Sequence, residues 1–167
     1  VNEVTDSKDN ERWTTGADYI VELQNRWVTT TSLTYLRETY EIAGEVDQAE
    51  LIIPGFQLSR VKANDPIYPS FGWRLSSKIR FANRNLSSTA SFLQLTGSGK
   101  LLFPLLGGRV LMRGDLGYTE VTDVRELPAS IRFFAGGDSS VRGFAYESLG
   151  PRADNGDVIG GRHLATG

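Results

Sequence analysis

Along residues 71–82 the chain alternates. Phe71, Trp73, Leu75, Ser77, Ile79 and Phe81 occupy one parity, apolar but for the serine, and Gly72, Arg74, Ser76, Lys78, Arg80 and Ala82 occupy the other. A period of two puts successive side chains on opposite faces of an extended strand, whereas a helix would scatter the same apolar groups around its axis. The segment reads as a strand with one greasy and one cationic face. Residues 108–118 repeat the pattern, with Val110, Met112, Leu116 and Tyr118 opposite Arg109, Arg113 and Asp115. Residues 89–103 set Leu93, Leu95, Leu101 and Phe103 against Gln94, Thr96, Ser98 and Lys100. Residues 49–62 place Ile52, Pro54, Phe56 and Leu58 on one side, blurred by Leu51 and Ile53. Residues 27–41, rich in Thr, Tyr and Trp, suit a strand with poorly resolved faces. Tyr19, Val21 and Leu23 alternate with Glu22, Gln24 and Arg26, although Tyr19, Leu23 and Trp27 also stand at the spacing of a short helix.

The predicted strands run to roughly 10–14 residues, against about 5–6 in soluble sheets. Residues 24–26 and 104–107 read as tight connections and 63–69 as a compact one bearing prolines. Residues 43–48, 83–88 and about 121–157 read as longer polar loops. Short and long then alternate, as in an up-and-down membrane barrel with turns at one rim and loops at the other. A soluble sandwich or lipocalin-like barrel alternates too. Against it stand aromatics near strand ends (Trp73, Phe81, Phe103, Tyr118), as in interfacial girdles, and charges on the opposite faces that a dry core would not accept. Six strands and the start of a seventh do not close a barrel, and an open edge in lipid leaves backbone groups unsatisfied. Missing strands or a second copy are therefore expected.

Composition alone would have suggested a soluble domain. The chain has 167 residues and a net charge of -2, too balanced for a dedicated nucleic-acid binder. With no cysteine, thiol chemistry, disulfides and the usual zinc fingers are excluded. No apolar run approaches the ~20 residues of a membrane helix. With no initiating Met and no signal peptide, the sequence is expected to be a segment of a longer protein.

Enzyme motifs fail on context. Ser59 and Lys62 have the S-x-x-K spacing of penicillin-recognising enzymes but lie in a strand without the companion triplets. Gly99-Lys100 lacks the first glycine and the Ser or Thr of a phosphate loop. Gly137-Asp138-Ser139 has no histidine base in pattern, His163 being the single histidine. No His or carboxylate cluster has metal-ligand spacing.

Residues 131–144 carry more information. Phe133 and Phe134 precede Gly136 and Gly137, and an Arg142-Gly143-Phe144 tip follows. Paired glycines let a backbone turn tightly or approach a wall. A loop this aromatic is expected to fold back inside something, with Arg142 held by a carboxylate or carbonyl.

Val141-Arg142-Gly143-Phe144, preceded by Phe134-Ala135-Gly136-Gly137, resembles the signature of the bacterial outer-membrane assembly-factor superfamily, which includes BamA insertases, TamA-type factors and two-partner-secretion transporters. Residues 132–138 and the closing Leu164-Ala165-Thr166-Gly167 are most similar to the TamA type, with Phe144 where many of that type have Tyr. The resemblance is strong over about 131–167. It implies an all-β fold: an antiparallel up-and-down transmembrane β-barrel, incomplete, holding about strands six to twelve of a sixteen-stranded barrel that follows periplasmic POTRA domains. Residues 1–167 would be barrel wall, with 122–156 the sixth extracellular loop folded into the lumen. Gly136, Gly137, Asp138, Val141, Arg142, Gly143 and Phe144 would form the lumenal loop motif. Arg142 would bond the inner wall, its usual acidic partner lying beyond Gly167. Arg74, Lys78, Arg80, Arg109 and Arg113 would line the lumen. The implied function is insertion and secretion of autotransporter-type proteins in the outer membrane of a Gram-negative bacterium, without enzyme activity, ATP, metal or cofactor. The implied partners are outer-membrane lipid, client proteins and an inner-membrane-anchored periplasmic protein, not nucleic acid. The fragment would self-associate through its open edges. A BamA-like insertase, a two-partner-secretion pore and, from another class, a passive diffusion porin are the alternatives.

Overall fold

A computed structural model describes residues 11–42, 45–137, 140–152, 156 and 158–167. Seven strands form one antiparallel sheet in chain order: β1 (Arg12–Glu22), β2 (Trp27–Ile42), β3 (Glu45–Ala63), β4 (Gly72–Ala82), β5 (Phe92–Leu105), β6 (Gly108–Glu120) and β7 (His163–Thr166). Each strand pairs with the next, and β1 and β7 stand at the two edges. The architecture is an all-β arc of barrel wall. A 3-10 turn at Gln24–Arg26 follows β1, so Tyr19 and Val21 belong to a strand and the helical spacing through Leu23 and Trp27 is not used.

The strict alternation of short and long connections does not hold. Ile42 pairs directly with Glu45, and β3 is already strand through residues 45–48, where the sequence reads as loop. The cause is visible in the side chains. On the outer face of this hairpin Arg37 and Glu50 pair at 3.5 Å, while Leu36, Tyr40, Ala49, Leu51 and Ile53 are buried on the inner face. Lower in the same strands the polarity is opposite, with Leu33 and Phe56 outside and Ser32 and Gln57 on the other parity. The register never slips, but polarity inverts where the hairpin rises above the apolar band. Leu51 and Ile53, which blur the alternation in the sequence, are this inversion.

Pro54 sits inside β3 without a backbone donor, which a fully paired strand would not tolerate. The ladder to β4 begins only at Gly55, opposite Arg80. Beyond it, residues 88 and 89 of the β4–β5 connection take over. The amide of Ile52 donates to Ser88 Oγ (3.0 Å) and that of Glu50 to Thr89 Oγ1 (3.1 Å). Pro54 thus falls at the break between the two sets of partners.

The outer face is apolar and exposed: Tyr19, Leu33, Phe56, Leu75, Ile79, Leu95, Met112 and Leu116 all lie open. Trp73 and Phe103 approach one rim and Phe81 and Tyr118 the other. Arg60 lies between the Trp27 and Trp73 rings, 5.4 and 5.5 Å from their centroids. This is how a cation is carried at a lipid–water boundary. Among the described residues no helix is long and apolar enough to cross a membrane. The strands, at 11 residues or more for β1 to β6, have the length to do so.

At the rim holding residues 23–26, 64–71 and 106–107, side chains of Asn64 and Asp65 shape the middle turn. Asn64 Oδ1 accepts from the amides of Ser70 and Phe71, and Asp65 Oδ1 from those of Ile67 and Tyr68, both at 2.8 Å. The Tyr68 and Ile67 donors hold the exposed Asp65 carboxyl below the usual range for aspartate. Because the folded value lies below the unfolded one, this carboxylate supports the turn above its unfolded pKa and ceases to as pH falls through the folded one. An NMR titration should find Asp65 more acidic than an unstructured aspartate, and an ordinary value would show the turn is not held this way.

Candidate functional site

The inner face is organised in lateral rows, set by register. Arg80 lies opposite Gln94, which lies opposite Thr119. The next rows are Lys78–Thr96–Gly117, Ser76–Ser98–Asp115 and Arg74–Lys100–Arg113. The first row is dry and the last is wet.

What dries the first row is the connection from β6 to β7. It turns at Val124–Glu126 and Ala129–Ile131 and lays Leu127 and Ile131 on the inner face, 0% and 2% exposed. They join Leu36, Tyr40, Leu51, Ile53 and Phe92 in one core. Burial of each side chain contributes about 1.5–3 kcal/mol. The core therefore lies between sheet and loop at one end of the arc, and the remainder of the inner face stays open.

Three polar clamps fix the loop. Gln94, fully buried, accepts from Arg80 Nε (2.6 Å) and donates through Nε2 to Thr119 Oγ1 (2.7 Å) and to the Ile131 carbonyl (2.8 Å). Buried Glu38 accepts from the Ser130 amide (3.3 Å) and the Ser130 hydroxyl. Arg132, 7% exposed, donates from Nε (2.8 Å) and Nη2 (2.5 Å) to the Leu127 carbonyl, and from Nη1 (2.7 Å) to that of Ile159. Its guanidinium lies 5.5 Å from the centre of the Tyr40 ring. Burial pushes Arg132 below its usual pKa range, while Tyr40, Glu38 and Asp123 act in the other direction. Buried polar groups left without partners are costly, and these are satisfied.

Past Arg132 the loop runs back beside itself. Phe133 pairs with Gly161 and Ala135 with Leu149. The Phe133 ring rests on Gly117, where any Cβ would run into it. Gly136 and Gly137 have φ of 113° and 91°, a region costly for other residues. The Gly136 amide donates to Ser140 Oγ (2.8 Å), which donates back to the Gly136 carbonyl (2.9 Å). Between this part of the loop and the wet rows lies a cavity of about 620 Å3 lined by Arg74, Lys78, Lys100, Arg113, Phe134 and Tyr146, among others.

The structure brings Arg74, Lys78 and Arg113 together at that cavity. Arg80 shares their face but is tied to Gln94. Arg109 is at the turn rim, donating to the Pro69 carbonyl at 3.0 Å. Gly136 and Gly137 form the bend, Val141 is half-buried, and Arg142, Gly143 and Phe144 are exposed at the tip. Asp138 lies outside the described residues. Glu38, Gln94, Thr119 and Ser130 have no motif to announce them. Arg132 carries the clamp closest to the recognised loop segment.

An open antiparallel sheet of long strands with one exposed apolar face, and a polar face onto which a long connection is clamped, has the build of an arc of membrane-barrel wall. The Omp85 superfamily domain matches residues 3–167, almost the whole chain. That superfamily comprises bacterial outer-membrane proteins that insert or translocate other proteins and work with partner proteins, and its members are not enzymes. This chain belongs to the Omp85 superfamily.

Proposed function

We propose that this chain is the middle of the barrel wall of a TamA-like factor that inserts and secretes autotransporter-type proteins in the outer membrane. The observation that carries the reading is the loop: its base is clamped by Glu38, Gln94 and Arg132, and its Arg142-Gly143-Phe144 tip is left exposed. A fixed base with a free cationic tip presents Arg142 to a facing wall built from other strands, where a carboxylate would pair with it. The loop rim faces the cell exterior and the turn rim the periplasm, where the POTRA domains and an inner-membrane-anchored partner act. Gly136, Gly137 and Val141 set the path of the tip.

The Arg142→Ala variant of the full-length protein should lose assembly of an autotransporter in vesicles while its barrel still folds, read from heat-modifiable mobility. No assembly by the unaltered protein would contradict the proposal, and unchanged assembly by the variant would contradict the role given to Arg142. Loss for general outer-membrane clients but not autotransporters would place the chain with BamA-like insertases. A porin would conduct ions equally with or without Arg142 and would assemble nothing.

A further inference from the structure

We infer that the row Arg74–Lys100–Arg113, with Lys78 two rows above it, is a lumenal binding site for an acidic, extended segment of polypeptide. Register puts Arg74 directly opposite Lys100 and Lys100 directly opposite Arg113. Like charges in direct cross-strand pairs destabilise a sheet, and here three stand in line. Arg113 pairs with Asp115 at 3.4 Å, and among the described residues the other carboxylate lining the cavity is Glu147. Arg74, Lys78 and Lys100 have no ion pair or side-chain hydrogen bond among the described residues. A site with this surplus of positive charge is completed by an anion.

The geometry narrows the anion. Neighbouring strands are about 4.8 Å apart, so the row spreads its charge over roughly 10 Å, too wide for one phosphate or carboxylate. It suits several carboxylates carried on one chain. The four cations share the face that carries the loop, while lipid meets the opposite, apolar face, so a membrane headgroup does not reach them. Ser76, Ser98 and Thr96 stand between the cations as hydroxyl partners for a backbone. Phe134 and Tyr146 of the loop add aromatic surface to the lining of the same cavity. The ligand class is then an Asp- or Glu-rich extended segment in transit. The inference rests on the reading of this barrel as one that handles polypeptide.

The test uses the full-length protein in lipid nanodiscs and two fluorescent probes, an alternating Glu–Ser peptide and its Lys–Ser counterpart, followed by anisotropy. The acidic peptide should bind and the basic one should not, with affinity falling as salt rises. The variant Arg74→Gln/Lys100→Gln should weaken the acidic peptide about tenfold or more. Arg60→Gln, on the outer face, should leave it unchanged. Equal affinity for both peptides, no effect of the double variant, or an equal loss in Arg60→Gln would each overturn the inference, the last by assigning binding to the membrane side. Heat-modifiable mobility shows that each variant is folded. Acidic-peptide binding by an unaltered protein that assembles no autotransporter would sink the assembly reading and leave the site. Impaired assembly by Arg142→Ala without peptide binding would sink the site alone.

Discussion

Replacing Arg132 with alanine should release the long connection from the wall, at a cost on the order of 3 kcal/mol. The side chain is 7% exposed, so water does not screen what it does. Three N–H groups reach two carbonyls, those of Leu127 and Ile159, and so bind the start of the loop to its end. Alanine leaves both carbonyls without these donors and removes the cation that lies against the Tyr40 ring. Lysine restores charge but not the fork, since one ammonium cannot span both carbonyls with the same geometry. Hydrogen exchange over residues 121–162 should therefore rise strongly in Arg132→Ala and by less in Arg132→Lys. Exchange in β4 and β5 should change little. Unaltered protection of the loop in Arg132→Ala would show that the clamp does not hold it.

Gln94→Leu should cost nearly as much, about 2–3 kcal/mol, although leucine fills a similar volume. Gln94 is fully buried and serves three groups at once: Arg80 Nε, Thr119 Oγ1 and the Ile131 carbonyl. Leucine strands a guanidinium N–H and a carbonyl in a dry place, and stranded groups cost more than the bonds themselves contribute. Gln94→Glu keeps an acceptor for Arg80 but removes the donor to Ile131, so it should recover only part of the loss. Urea unfolding of the folded barrel, compared across the two variants, reads this order. Equal stability of wild type and Gln94→Leu would mean that the row contributes nothing.

Parity made most of the arc legible. Arg74, Lys78 and Arg80 alternate with Trp73, Leu75 and Ile79 because one face of β4 is apolar and exposed and the other lies on the side where the loop is clamped. The same contrast marks β5 and β6. It fails in the upper parts of β2 and β3, where Leu36, Leu51 and Ile53 point inward to support the loop and Arg37 and Glu50 point outward to water. A reader of alternation sees noise there, and residues 45–48 then pass for a loop. The clamp was harder still. Gln94 and Ile131, or Glu38 and Ser130, are far apart in sequence, and no spacing rule joins them. Arginines 132 and 142 both sit among glycines and aromatics. Only the packed core around Leu127 distinguishes the one held at the loop base from the one exposed at its tip.

The central claim is that a single sheet separates lipid on its apolar face from a water-filled, loop-bearing lumen on its polar face. Spin labels placed one at a time from Leu75 to Ile79 in the full-length protein in bilayers test it most directly. Collision with oxygen, which dissolves in lipid, should peak at 75, 77 and 79. Collision with a water-soluble nickel complex should peak at 76 and 78. The reverse phase, or uniform access to the nickel complex at all five positions, would contradict the account.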